Sequence, residues 1–221
     1  NYYLFSKSNI TNMKKRLTSI ALIALFTISS GFAQFQGVIE FEKIKTETTK
    51  YSYSVKGNKV RIDETGTDGS VKGIMIVDLD KSTVIALSPE RKLYMDATNK
   101  RTAPVIKPEI TKTKNKKTIN GFECTEWIVK YSQENTQISY WVSPETGFDF
   151  FEKLIKVLNR KDKLSKYFIA IPGNETVFPV NAVEKNMDGT IKTELKITKI
   201  DKKELPDSLF DIPKDYQKFE R

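Results

Sequence analysis

Beyond residue 34 the dominant rhythm of the chain is alternation of apolar and polar side chains, the period of a half-buried β-strand. Gln36–Lys45 (QGVIEFEKIK) places Ile39 and Phe41 on one face and Glu40 and Glu42 on the other. Tyr51, Tyr53 and Val55 alternate with serines, and Gly57-Asn58 then turns the chain into Lys59–Asp63, where Val60 and Ile62 alternate with charged residues. Two alternating runs joined by such a pair predict a hairpin. A second turn, Thr67-Asp68-Gly69-Ser70, leads into Val71–Asp78, which is apolar on both faces over Ile74–Val77, as expected of a central strand. Thr83–Ser88 and Lys92–Asp96 follow at about ten residues per strand and turn, the spacing of an antiparallel meander. Strands are also expected at Phe122–Tyr131, Gln137–Val142, Phe178–Asn186 and Thr190–Ile200, the last two joined by Met187-Asp188-Gly189.

Between these strands the period changes. Phe150, Phe151, Leu154, Ile155, Val157 and Leu158 share one wide face, with Lys153, Lys156, Asn159 and Arg160 opposite. This predicts a helix from Phe150 to about Lys163, with Asp149 as N-cap and Glu152 completing a capping box. A strongly twisted sheet of about nine or ten strands curls, so the helix is expected to pack on its concave side. The expected class is α+β, mainly antiparallel β, in a curved and unclosed half-barrel. The concavity left beside the helix would be an apolar pocket. The tail LPDSLFDIPKDY offers Leu205, Leu209, Phe210 and Ile212 to tuck against the sheet.

One stretch breaks the rhythm. Ala97–Lys117 holds two prolines and seven basic residues against one acid, Glu109. It is expected to be a solvated loop crossing one end of the sheet. Within it Lys112, Lys114, Lys116 and Lys117 are candidates for contact with anionic lipid headgroups or an acidic partner, since several lysines near such a surface add up.

The front of the chain changes the expected compartment. From Met13, a basic head (Lys14, Lys15, Arg16) precedes a twelve-residue largely apolar run, Leu17–Ile28, and then Ser29-Ser30-Gly31-Phe32-Ala33. This is the layout of a cleavable signal peptide at 13–33, cut near Ala33, with residues 1–12 as upstream sequence. The run falls short of the roughly 20 residues that span a bilayer. The remaining residues, 34–221, are expected to form a single domain in the periplasm or, as second choice, outside the cell. Residues 1–33 carry four basic residues and no acid, so the stated +9 becomes +5, from 33 basic against 28 acidic residues. That modest excess is no nucleic-acid signature.

What is missing narrows the chemistry. The chain has no histidine and one cysteine, Cys124, which removes Ser-His-Asp and Cys-His catalysis, nearly all zinc sites and any internal disulfide. Asp78-Leu79-Asp80 reads as a polar hairpin turn rather than a metal motif. No catalytic residue, metal site or cofactor is expected. Cys124 reads as a small buried packing residue, in a strand entered through the Asn120-Gly121 turn. Alternation there sets Phe122, Cys124 and Ile128 opposite Trp127, Val129 and Tyr131.

Four stretches in order, IVDLDKSTVIALSPERKLYMD (Ile76–Asp96), INGFECTEWIV (Ile119–Val129), SYWVSPETGFD (Ser139–Asp149) and KITKIDKKELPDSLFDIPKDY (Lys196–Tyr216), carry a resemblance. The chain resembles an exported family of unassigned function within the outer-membrane lipoprotein carrier (LolA/LolB-like) superfamily. The resemblance implies a half-barrel whose helices close its mouth over a cavity that takes acyl chains in characterised relatives. The chain departs from the carrier in showing one long helix where the carrier has several. Ile39, Phe41, Ile62, Met75, Val77, Trp127, Tyr140, Leu154 and Leu158 are the candidate cavity residues; each could equally fill a closed core. Two readings follow. One is a non-enzymatic binding protein for a lipid or other hydrophobic ligand. The other is an envelope interaction or sensor module that docks a protein partner or an anionic membrane surface.

Overall fold

The structure, a computed structural model, describes residues 34–102, 105–144 and 147–220; the leader read at 13–33 and the sequence before it lie outside the described residues. The first meander contains β1 (Gly37–Ile44), β2 (Thr48–Lys56), β3 (Lys59–Thr65), β4 (Val71–Asp78), β5 (Thr83–Ser88) and β6 (Leu93–Asp96). The second contains β7 (Glu109–Ile119), β8 (Phe122–Tyr131), β9 (Thr136–Ser143), β10 (Phe178–Lys185) and β11 (Ile191–Lys202). Two short helices, α1 (Phe150–Leu158) and α2 (Lys163–Ile169), are inserted between β9 and β10, and β12 (Gln217–Lys218) ends the fold. All twelve strands form one sheet in the order β12-β6-β5-β4-β3-β2-β1-β11-β10-β9-β8-β7. Neighbours are antiparallel except β12, which lies parallel to β6.

The connectivity requires curvature. β6 and β7 stand ten spacings apart in the sheet, roughly 48 Å if it were flat at about 4.8 Å per spacing. The connection from Asp96 to Glu109 reaches at most about 45 Å when fully stretched. It is also far from straight, because the Arg101 amide turns back to Asn99 Oδ1 at 3.1 Å. The sheet therefore curls until its ends approach. Register shifts at Glu40/Phe41, Pro179/Asn181 and Lys112/Lys116 mark bulges that bend the strands. β1 can approach β11 closely at its start only because residue 37 is glycine. Its φ is +148°, and a Cβ would lie 2.1 Å from the Asp201 carbonyl oxygen.

Two of the strands differ from expectation. β7 occupies Glu109–Ile119, so the basic stretch after residue 108 is not loop but the long open edge of the sheet. Only 97–108 crosses between the meanders. An edge strand pairs on one side and needs no continuous apolar face, and lysines on it discourage edge-to-edge pairing. β12, two residues long, carries too little sequence to read.

The helix also departs from its expected form. Instead of running to Lys163 it stops at Leu158, where Asn159 takes the left-handed conformation (φ 43°), and α2 starts at Lys163. The expected capping box is absent: Asp149 is itself α-helical in φ and ψ and its side chain caps nothing. Glu152 pairs instead with Lys156 one turn on. The cap that does form is Asp162, whose Oδ1 accepts from the Ser165 amide at 3.2 Å, on α2.

The core lies mainly on the concave face. Ile39, Val55, Val60, Ile62 and Val77 pack with Phe150 and Leu154 of α1. Trp127, Val129, Ile138, Tyr140 and Ala182 pack with Ile155, Leu164 and Phe168 of the two helices. On the convex face, Ile74, Ile76 and Leu87 are covered by Leu205 and Phe210 of the tail. This explains the two-sided apolar run in β4: the strand sits near one end of the sheet, and the tail supplies its second cover.

Candidate functional site

The site is a cleft between the concave sheet and the helix pair. Its floor combines inward-facing positions of five strands: Ile39 and Phe41 of β1, Tyr53 of β2, Tyr140 of β9, Ala182 of β10 and Ile197 of β11. Phe151, Ile155 and Leu158 of α1, with Leu164 and Phe168 of α2, form the roof. The enclosed volume is about 70 Å³. That is small beside the ~300–1,000 Å³ of ordinary small-molecule pockets.

The rim is polar and mostly cationic. Continuing the period of Ile39 and Phe41 brings Lys43 inward at the end of β1, and the interhelical turn contributes Arg160 and Asp162. Lys43 Nζ lies 3.9 Å from Asp162 Oδ1. Burial pulls the Lys43 ammonium below its ordinary range, with Lys45 and Arg160 pushing the same way and Asp162 opposing. Asp162 is shared, since it also caps α2 and accepts from Ser165 Oγ at 3.0 Å. Arg160 Nη2 lies 3.6 Å from the Met75 sulfur, and among the described residues no carboxylate comes within 4.0 Å of its guanidinium. Two hydrogen bonds join the interhelical turn to the crossing loop: Asn99 Nδ2 donates to Asn159 O at 2.9 Å and Asn159 Nδ2 to Arg101 O at 2.6 Å. In the floor, burial pushes the Tyr53 hydroxyl up to about 12. Burial raises Tyr140 too, and its hydroxyl donates to Leu164 O at 2.8 Å, tying α2 to β9.

Of the nine candidate cavity residues, Ile39, Phe41, Tyr140 and Leu158 come together in the cleft wall. Ile62, Val77 and Leu154 lie in the packed interior away from it, and Trp127 belongs to the neighbouring cluster under Lys112. Met75 lines a separate groove with Met95, Leu158 and Arg160. The sequence reading missed Lys43, Tyr51, Tyr53, Ile155, Arg160 and Phe168. Extending the β1 alternation by one step would have found Lys43, and Tyr51 and Tyr53 already stood in the β2 alternation without being assigned to the cavity.

The basic candidates lie along β7, away from the cleft. Lys112 Nζ sits 4.0 Å from the Trp127 ring centroid and donates to Pro172 O at 2.7 Å. Lys117 Nζ lies 3.9 Å from that of Trp141. Lys114 and Lys116 are exposed. Cys124 is buried and unpaired, its Sγ 3.5 Å from the Phe122 carbonyl, and burial raises its thiol. Among the described residues, no group of three His, Cys, Asp or Glu side chains could hold a metal, and no helix is long and apolar enough to cross a membrane.

Residues 35–216 match the family described as a domain of unknown function, DUF4412. The chain belongs to that family. No curated protein matches it. Among solved structures, the DUF4412 chain is similar to an uncharacterised conserved protein from Thermus thermophilus. The TM-score is 0.52 at 8% identity, over 83% of this chain and 89% of that one. A DUF1329 family protein from Desulfovibrio piger matches at TM-score 0.37 and 8% identity, over 81% of this chain and 91% of that one. A Vibrio parahaemolyticus domain named for outer-membrane lipoprotein sorting matches at TM-score 0.34 and 10% identity, over 82% and 91%. At such identities the Thermus likeness speaks to fold alone, and the two looser ones carry no chemistry to this chain.

Proposed function

We propose that this DUF4412 chain is an exported, non-enzymatic binding protein that holds a lipid or other hydrophobic ligand between its curved sheet and helix pair. The observation that carries the reading is the cleft: an apolar slot left inside an otherwise close-packed concave face, with charged side chains only at its rim. Ile39, Phe41, Tyr140 and Leu158 are the contact residues. The slot holds no complete acyl chain as it stands, so entry moves the helix pair outward. Each methylene then buried contributes about 0.8 kcal/mol toward that displacement. Residues 13–33 support a periplasmic location, because they have the form of an export signal.

The test is to purify the protein from the periplasm, extract it for mass spectrometry and titrate it with the neutral probe N-phenyl-1-naphthylamine. The reading expects co-extracted lipid and saturable probe fluorescence that decanol competes away. Absence of both outcomes would remove it. The competing reading, a docking module, draws on the open eleven-residue edge of β7. It expects charge reversal at Lys114 and Lys116 to abolish capture of an envelope partner while probe binding stays unchanged.

A further inference from the structure

We infer that the ligand is a single-chain amphiphile with a small anionic head, carboxylate or phosphate, seated at Arg160 and Lys43 with its chain in the slot. The inference rests on the hydrophobic-ligand reading and adds the identity of the polar end. Every wall residue deeper than the rim is apolar or a tyrosine, so the slot itself offers a head no countercharge. At the rim two cations face one carboxylate, and Asp162 already serves as the α2 cap. Arg160 has no carboxylate partner among the described residues and instead rests against a thioether, a weak acceptor. A planar guanidinium in that position can form a two-point contact with a carboxylate or phosphate, stronger than bonds between neutral groups.

Position supports this as well as charge. Arg160 also lines two larger grooves outside the slot, of about 530 and 680 Å³. It therefore stands where a chain passing from the surface into the slot would leave its head. Ser165 Oγ already donates to Asp162 at 3.0 Å and the Tyr51 hydroxyl faces Glu64, so the contact with the head falls to Arg160 and Lys43. A neutral or cationic head would leave Arg160 without a countercharge and, if cationic, would add a third positive group to the rim.

Displacement of N-phenyl-1-naphthylamine by decanoate, decyl phosphate, 1-decanol and decyltrimethylammonium, all below micellar concentration, tests the assignment. The wild-type protein should bind decanoate or decyl phosphate at least tenfold more tightly than decanol, with the cation weakest. Whichever anion wins identifies the head as carboxylate or phosphate. Arg160→Gln and Lys43→Gln should each weaken binding of the anions severalfold more than binding of decanol. Arg160→Lys, which keeps the charge but loses the two-point contact, should retain only part of the preference. Equal binding of the anions and decanol by the wild type would overturn the inference and leave the hydrophobic-ligand reading standing, as would a preference that survives in the Arg160→Gln/Lys43→Gln double variant. Failure of every chain to displace the probe would overturn both.

Discussion

The two faces of the sheet meet the same requirement, covering apolar side chains, in different ways. On the convex side the tail carries Leu205 and Phe210 onto Ile74, Ile76 and Leu87. Polar ties hold that cover: Arg61 Nη1 donates to Leu209 O at 3.2 Å, and Lys56 Nζ donates to Leu205 O and meets Asp207, each at 2.8 Å. On the concave side two short helices span a hollow, and their broken junction leaves a slot with charges at its mouth. A flexible segment can follow a convex surface residue by residue. A helix is a rigid cylinder and cannot fill a concavity completely. Which face can hold a ligand follows from that difference in the shape of the cover.

Substitutions that remove a cover residue test the contrast most strongly. Phe168→Ala, in the slot roof, and Phe210→Ala, in the convex cluster, should each cost about 3–5 kcal/mol in urea unfolding. Only Phe168→Ala should raise the capacity for decanol or naphthylamine probe, because it alone enlarges the slot. A gain in probe binding by Phe210→Ala would remove the distinction between the faces.

A smaller effect is expected from the tail's polar ties. Arg61→Met leaves Asp63 without its 2.8 Å partner and Leu209 O without a donor. The expected loss is about 2 kcal/mol in denaturant unfolding, with faster proteolysis of the tail and unchanged probe binding.

The smallest effect concerns Cys124. Burial raises its thiol above the ordinary value of 9.0, so the folded state retains a proton that the unfolded chain gives up. Its contribution to stability is complete below that ordinary value and declines as pH rises past it. The native protein should resist a thiol reagent at about pH 8, where an exposed cysteine already carries a reactive thiolate fraction, and should become reactive only on unfolding. Rapid labelling of the folded state would show the thiol to be accessible.

How much of this was legible in the sequence varied with how local the cause is. Gly57-Asn58 and Asn120-Gly121 announced their turns because residues 57, 120 and 121 all take positive φ, a backbone choice made by adjacent residues. The alternation in β1 and β3 was legible because each has one dominant core face. β7 was not, because an edge strand of lysines lacks the apolar period that marks a strand. The break at Asn159 was missed because a polar turn between two amphipathic segments looks, by composition, like the exposed side of one helix. The cleft was half legible. Ile39 and Phe41 followed from period two, whereas Arg160 became a rim residue only through the break that brings it back over β1.

The sequence by itself determined the strand-rich class, the positions of most hairpin turns, the apolar faces of the helical segment and the absence of histidine chemistry. All of these are set by residues within a few positions of one another. Tertiary structure alone decided that β1 pairs with β11, that the tail rather than a helix covers β4, and that Lys43, Arg160 and Asp162 meet at one mouth. Those outcomes depend on how far the open sheet curls. Curvature is a sum over twelve strands and their bulges, and no local window of sequence contains it.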